Sequence, residues 1–165
     1  GEALTTGADN IFIGQAAGDG HDTEGNNLGI GRSALGGSIN GGEYNLAIGN
    51  LTLDSLTSGD KNTCIGYNAG TELTTANNCT FVGHLAGDVV TTGIANTAIG
   101  DEALTDLTEG QGNTALGAVA GDNLTTGSQN LFLGQDTKAS TGAASYQFVI
   151  GHNVTSAGNL SLIHI

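Results

Sequence analysis

The chain contains no proline, no methionine and no tryptophan, and only 3 of its 165 residues are Lys or Arg. The shortage of basic residues is the most restrictive of these absences. Against 16 Asp and Glu it leaves a formal net charge of −13. Nucleic acid and anionic membrane surfaces are held by basic patches, so both are excluded as partners. No window approaches the ~18 consecutive apolar residues of a membrane-spanning helix. The opening GEALTTG has neither a basic segment nor an apolar run, so no secretory signal is expected in it. The chain starts inside a repeat without an initiator Met and ends on the apolar GNLSLIHI. It reads as a piece of a longer parent, with Gly1 an added residue. Cys64 and Cys79 are 15 residues apart, which matches no zinc-binding spacing. Charged residues are 12 % and hydrophobic residues 38 %, the opposite balance to a disordered chain. A folded, single repeat domain over 1–165 is the expectation.

What is abundant is glycine, 29 residues, and much of it is periodic. Taking the Gly of an Ile-Gly step as position zero, it recurs at Gly14, Gly31, Gly49, Gly66, Gly83, Gly100, Gly117, Gly134 and Gly151. The spacing is 17 residues except for one step of 18, absorbed near Gly36-Gly37-Ser38. The other columns keep phase. Position −1 is always aliphatic, as at Ile13, Val82 and Leu116. Position −3 is aliphatic, Thr or Phe, and −2 is small or aromatic, as at Ala47, Cys64, Phe81 and Ala115. Position −4 is Asn at Asn10, Asn27, Asn45, Asn62, Asn96, Asn113 and Asn130, with Cys79 and Gln147 as exceptions. Position +3 is usually Ala and −10 mostly aliphatic, from Leu4 to Leu124.

A fixed period, β-branched strand residues and pervasive glycine exclude helix. The fold class expected is all-β, a parallel β-solenoid or β-roll of about nine 17-residue rungs. Each rung would hold a strand, a Gly corner, a short second strand around the Ala, a polar corner and a Thr-Thr-Gly turn whose Gly supplies a positive φ. At the ordinary strand spacing the rod would be roughly 43 Å long. Stacked rungs set Asn over Asn, so the amides are expected to bond along the rod. Positions −3 and −1 share one strand face and −2 lies on the other. Both are apolar, so one face packs inside the rung and the other needs a second layer. Ala115, a small residue, is placed on the face that should meet solvent. The thin rung, built of Ala, Ile, Thr and Gly, buries little apolar area, and a homotrimer, intertwined or side by side, is the simplest remedy.

The segment NTAIGDEALTDLTEGQGNTALGAVAGDNLTTGSQNLFLG resembles the N-T-A-I-G arrays of bacteriophage and algal-virus tail-fibre proteins. It is similar, more distantly, to the head repeats of trimeric autotransporter adhesins. The likeness spans about residues 3–158. It implies a structural fibre segment on a virion or cell surface, without enzymatic activity, that supports or presents host-receptor binding. It also implies a glycan or protein receptor, for which the aromatic groups Tyr44, Tyr67 and Tyr146 are the first candidates. Departures are the longer repeat and the lack of the C-terminal chaperone domain that often follows such arrays.

Several columns raise chemistry of their own. Asp19, Asp54, Asp88 and Asp122 share position +5, with Glu72 and Asp106 at +6, and a carboxylate ladder is a candidate Ca2+ site. Its competing reading is a solvated corner that keeps the rod soluble. Adjacent Asp101 and Glu102 raise polysaccharide hydrolysis, as in a trimeric tailspike, but no rung carries the long insertion of an active-site groove. His84 and His152 share position +1, four rungs apart and so unable to share one ion within a chain. A threefold axis would gather three copies of one His around a metal, while the mixture of Gln15, Arg32, Asn50, Tyr67, Asp101, Ala118 and Gln135 in that column reads as ordinary surface. His21 and His164 have no sequence partner. Thr5, Thr57, Thr74, Thr91, Thr108 and Thr125 stack at −9, the pattern of an ice-binding solenoid, although Asn40, Gly142 and Glu109 interrupt it. The two Cys should sit roughly 8 Å apart by strand spacing and rise, beyond disulfide reach, as free buried thiols. Glycine-rich stretches recur with the rung and precede no helix, so phosphate-binding loops are excluded.

Overall fold

The computed structural model describes residues 6–20 and 23–157. Leu4, Thr5, His21 and His164, used above, lie outside the described residues. The strands are β1 (Ile11–Ile13), β2 (Leu28–Ile30), β3 (Leu46–Ile48), β4 (Thr63–Ile65), β5 (Thr80–Val82), β6 (Thr97–Ile99), β7 (Thr114–Leu116), β8 (Leu131–Leu133), β9 (Thr137–Lys138), β10 (Phe148–Ile150) and β11 (Val154–Thr155). One parallel sheet runs β1-β2-β3-β4-β5-β6-β7-β8-β10. Its register follows the repeat: Ile11 pairs with Leu28, Leu28 with Leu46 across the 18-residue step, and Thr97 with Thr114. The chain is a parallel β-solenoid, and the extra residue is accommodated between β2 and β3 without a register slip.

Among the described residues the short second strand occurs only near the end, where β9 pairs with β11. Elsewhere that segment is turn, because the residues at +2 and +4 are left-handed: Leu85 (φ 55), Gly87 (φ 58), Glu102 (φ 55) and Leu104 (φ 53) on two successive rungs. Left-handed residues break an extended ladder, yet each turn still bonds to its neighbour, as where Glu102 N donates to His84 O at 2.9 Å. The position-zero glycines carry φ between +122° and +150° and also touch across rungs: a Cβ on Gly83 would lie 2.2 Å from Gly100 O. The Thr-Thr-Gly glycines need a different explanation from the one expected. Gly93 and Gly127 are not at positive φ; a Cβ on Gly93 would lie 2.2 Å from Gly110 O. Their role is close rung approach, and the left-handed residue comes two positions later, at Ala95 and Gln129.

The core is a single column up the inside of the coil. Ala103, Leu104, Leu107 and Ala98 show one rung's share: positions +3, +4, −10 and −2, all fully buried. This reverses the expected facing of the strand. Ala115 is 0 % exposed and Phe81, Phe132 and Cys64 lie inside with it, while its neighbour Leu116 is 45 % exposed. A three-residue strand has one side chain on one face and two on the other. The interior already holds side chains from +3, +4 and −10, so it takes the one, and the two uncharged rows at −3 and −1 turn outward.

Candidate functional site

The outward rows make the most distinctive surface of the molecule. Positions −3 and −1 carry Ile, Leu, Val, Thr and Phe and no charged residue on any of the nine strands of the main sheet. Ile11, Ile13, Ile99, Leu116 and Leu133 are among the exposed large hydrophobics, with Ile13 58 % accessible. Together the rows form an uncharged strip along the sheet, apolar at −1 throughout and broken at −3 by Thr63, Thr80, Thr97 and Thr114, on a chain whose net charge is −13.

The Asn column holds this strip in register from within. Asn113 Nδ2 donates to Gly127 O at 2.9 Å, and its Oδ1 accepts the Asn130 N–H at 3.0 Å. Asn27, Asn45, Asn62 and Asn130 bridge rungs in the same way. Amide-to-amide bonds along the ladder, as expected, occur between Asn62 and Asn45, Asn113 and Asn96, and Asn130 and Asn113. The larger duty is to satisfy backbone N–H and C=O groups that a three-residue strand leaves unpaired. Cys79 imitates it: its N–H donates to Asn62 Oδ1 and its thiol to Gly93 O at 3.2 Å. Cys64 and Cys79 are both buried and free. Burial pushes the Cys79 thiol up to about 11, against smaller opposing hydrogen bonds from Asn96 and Ala95 backbone, and pushes Cys64 well above its ordinary value.

The Thr column at −9 is also tied along the ladder. The hydroxyls of Thr57, Thr74, Thr91 and Thr108 donate to the carbonyl of the Thr on the next rung, at 3.0 to 3.2 Å. The +5 corner does not gather Asp19, Asp54, Asp88 and Asp122 around a common point, since they stand on alternate rungs, roughly 9–10 Å apart by strand spacing. Asp122 pairs with Lys138 Nζ at 3.2 Å, and the same Nζ reaches Asp136 at 3.1 Å. Asp54 and Asp88 are held above the ordinary 3.8, first by burial and then by neighbouring acids, Glu72 for Asp54 and Asp106 and Glu72 for Asp88; Arg32 opposes this at Asp54, and backbone hydrogen bonds from Val89 and Asp88 itself oppose it at Asp88.

The three tyrosines are exposed but not assembled. Tyr44 and Tyr146 share position −5, both left-handed, six rungs apart, and Tyr67 lies at +1, stacked on His84. Tyr146 borders an open groove of about 480 Å³ with Gln129, Thr114, Leu131 and Phe148. Gly112, at −5 two rungs before Tyr146, also lines it. His152 lies exposed at +1, far from His84. No family model, no curated protein and no solved structure matches this chain.

Proposed function

We propose that this chain is a structural fibre segment of a viral tail fibre or similar surface adhesin, assembled as a parallel homotrimer through its outer sheet face. The observation that carries the reading is the uncharged outer strip, aliphatic throughout at −1 and Ile, Leu, Thr or Phe at −3. Strips of this length on a soluble chain are covered by something, and exposed contiguous apolar patches mark interaction surfaces. The other faces carry the acid and would repel a second copy; the strip carries none. A strip about 38 Å long and roughly 10 Å wide offers each chain about 400 Å². Two copies face to face would bury about 800 Å² in total, short of the roughly 1,200 Å² of a stable interface, so a stable assembly must bury surface beyond the strip. Such a rod is a stiff shaft, held by cross-rung bonds at every strand and corner, that carries a receptor-binding surface away from its base.

Sedimentation equilibrium tests this: the expected mass is three times the 16.3 kDa chain. A monomer at micromolar concentration overturns the fibre reading. A presenting role for the rod itself rests on the Tyr146 groove, where an aromatic ring and the Gln129 amide suit a sugar. Saturation-transfer NMR against a glycan panel, repeated with Tyr146→Ala, tests it; signals that survive the substitution reject this groove.

A further inference from the structure

We propose that His84, Asp101 and Glu102 form a binding site for one divalent transition-metal ion of the Zn2+ type, on the corner that follows β5 and β6. The three side chains each offer a ligand atom, and these atoms all lie within 4.8 Å of one another. Register brings them together. His84 and Asp101 each follow a position-zero glycine, 17 residues apart, so the pairing of β5 with β6 stacks one over the other. His84 Nδ1 and Asp101 Oδ1 meet at 2.8 Å. Glu102 is the next residue, half-buried and left-handed, with its N–H bonded to the His84 carbonyl at 2.9 Å. The Tyr67 ring lies against the imidazole on the other side, 5.8 Å between centroids and 19° from parallel. Ring stacking on Tyr67 and the contact with Asp101 orient the His84 imidazole before any ion arrives, which lowers the ordering cost of binding.

The site is singular in the repeat. The +1 column otherwise holds Gln15, Arg32, Asn50, Tyr67, Ala118, Gln135 and His152, so a His faces a carboxylate on a neighbouring rung only here. It is also short of positive charge. Arg32, Lys61 and Lys138 stand on other rungs, and among the described residues no Lys or Arg pairs with Asp101 or Glu102. Two carboxylates beside an imidazole therefore have no cation except a proton on His84 or an added ion. One nitrogen and two carboxylate oxygens suit Zn2+, with water completing the shell at so open a corner. Ca2+, which takes oxygen ligands, gains nothing from the imidazole.

The test is calorimetric titration with Zn2+ of the intact chain and three variants whose folding is checked by circular dichroism. A triple variant, H21A/H152A/H164A, keeps His84 as the sole histidine. The expected result is one equivalent of Zn2+ per chain in both the parent and the triple variant. His84→Ala and Glu102→Gln should each weaken it by at least the roughly 10- to 100-fold that loss of even an outer-shell partner costs. Equimolar Ca2+ should leave the Zn2+ isotherm unchanged. No binding by the triple variant, unchanged binding by folded His84→Ala or Glu102→Gln, or Ca2+ competing on equal terms overturns the assignment.

Discussion

Phe81 and Gly87 occupy one space. A Cβ placed on Gly87 would sit 2.8 Å from three atoms of the Phe81 ring. The same exclusion links Phe12 with Gly18, at 2.4 Å, and Phe132 with Gly121, at 2.8 Å. Where −2 is small, +4 is often large: Gly29 goes with Leu35, Ala47 with Leu53 and Ala98 with Leu104, all three leucines fully buried. Within the five rungs that set Phe with Gly or a small residue with Leu, the two columns exchange volume. At Cys64 with Gly70 and Ala115 with Gly121, where both are small, the ring of the next rung, Phe81 or Phe132, lies against the glycine instead.

That exchange predicts a strongly non-additive pair. Phe81→Ala should destabilise by about 3–5 kcal/mol through the cavity it leaves. Gly87→Leu alone should cost about 1–3 kcal/mol by overpacking against the ring. The double variant recreates the pairing of Ala98 with Leu104, whose φ of 53° matches the 58° of Gly87. Its loss should fall short of the sum of the single losses by about 0.5–3 kcal/mol, measured by urea denaturation. Additive losses would mean the two positions do not share volume.

Ala115 and Leu116 separate folding from assembly. Ala115→Asp places a charge in the closed core and should abolish the cooperative transition, since an unpaired buried charge is too costly for the fold to hold. Leu116→Asp adds a charge to the outer strip at a position already 45 % exposed. It should leave the circular dichroism spectrum intact while, if the proposed trimer forms through this face, sedimentation shows a shift to monomer. A folded trimer carrying Leu116→Asp would remove the outer face from the interface.

Much of this was readable from the repeat. The 17-residue phase placed every strand of the main sheet, and the −10, +3 and Asn columns were recognisable as packing and ladder positions. The facing of the strand was not, because residues such as Thr97, Ala98 and Ile99 are compatible with either side being inward. Deciding it requires knowing what else fills the coil, and the +4 column that does so mixes Leu and Gly before ending in Lys138 and Thr155. Read by itself that column looks unpatterned; read beside −2 its logic appears. The histidine–carboxylate corner did carry a sequence signal, His84 and Asp101 one period apart, which is visible only when residues are compared by rung.

Acid should stabilise this protein. Asp54 and Asp88 are harder to ionise in the fold than the ordinary 3.8, chiefly because burial disfavours the carboxylate. A raised folded value means the fold binds the proton more tightly than the unfolded chain does. The resulting stabilisation is fully present below 3.8 and is lost as pH rises through the folded value above it. Relief of self-repulsion at a net charge of −13 acts in the same direction. The thermal midpoint is expected to rise as pH is lowered from 7 toward 4, and Asp88→Asn should raise it at pH 7 with a gain that shrinks in acid. A midpoint that falls steadily over that range, in parent and variant alike, would contradict this.

The exception at Cys79 marks where the ladder can be improved. Its thiol does the work of an amide, donating to Gly93 O, but sulfur is the weaker partner in each bond. Cys79→Asn should restore the full pattern seen at Asn113, with Oδ1 accepting from Asn96 N and Nδ2 donating to Gly93 O. The gain expected is about 1 kcal/mol, the net worth of one ordinary hydrogen bond, read as a higher urea midpoint with unchanged slope. Asn113→Ala is the converse. It strands the buried Gly127 carbonyl and Asn130 N–H, at about 1–3 kcal/mol for each group left unsatisfied. In the parent both thiols should be inert to a disulfide reagent at pH 8 until the chain is unfolded, because burial keeps them protonated. Fast labelling of either in the native state would show that the coil opens locally at β4 and β5, and the Cys79→Asn gain would then report on that opening as well as on the ladder.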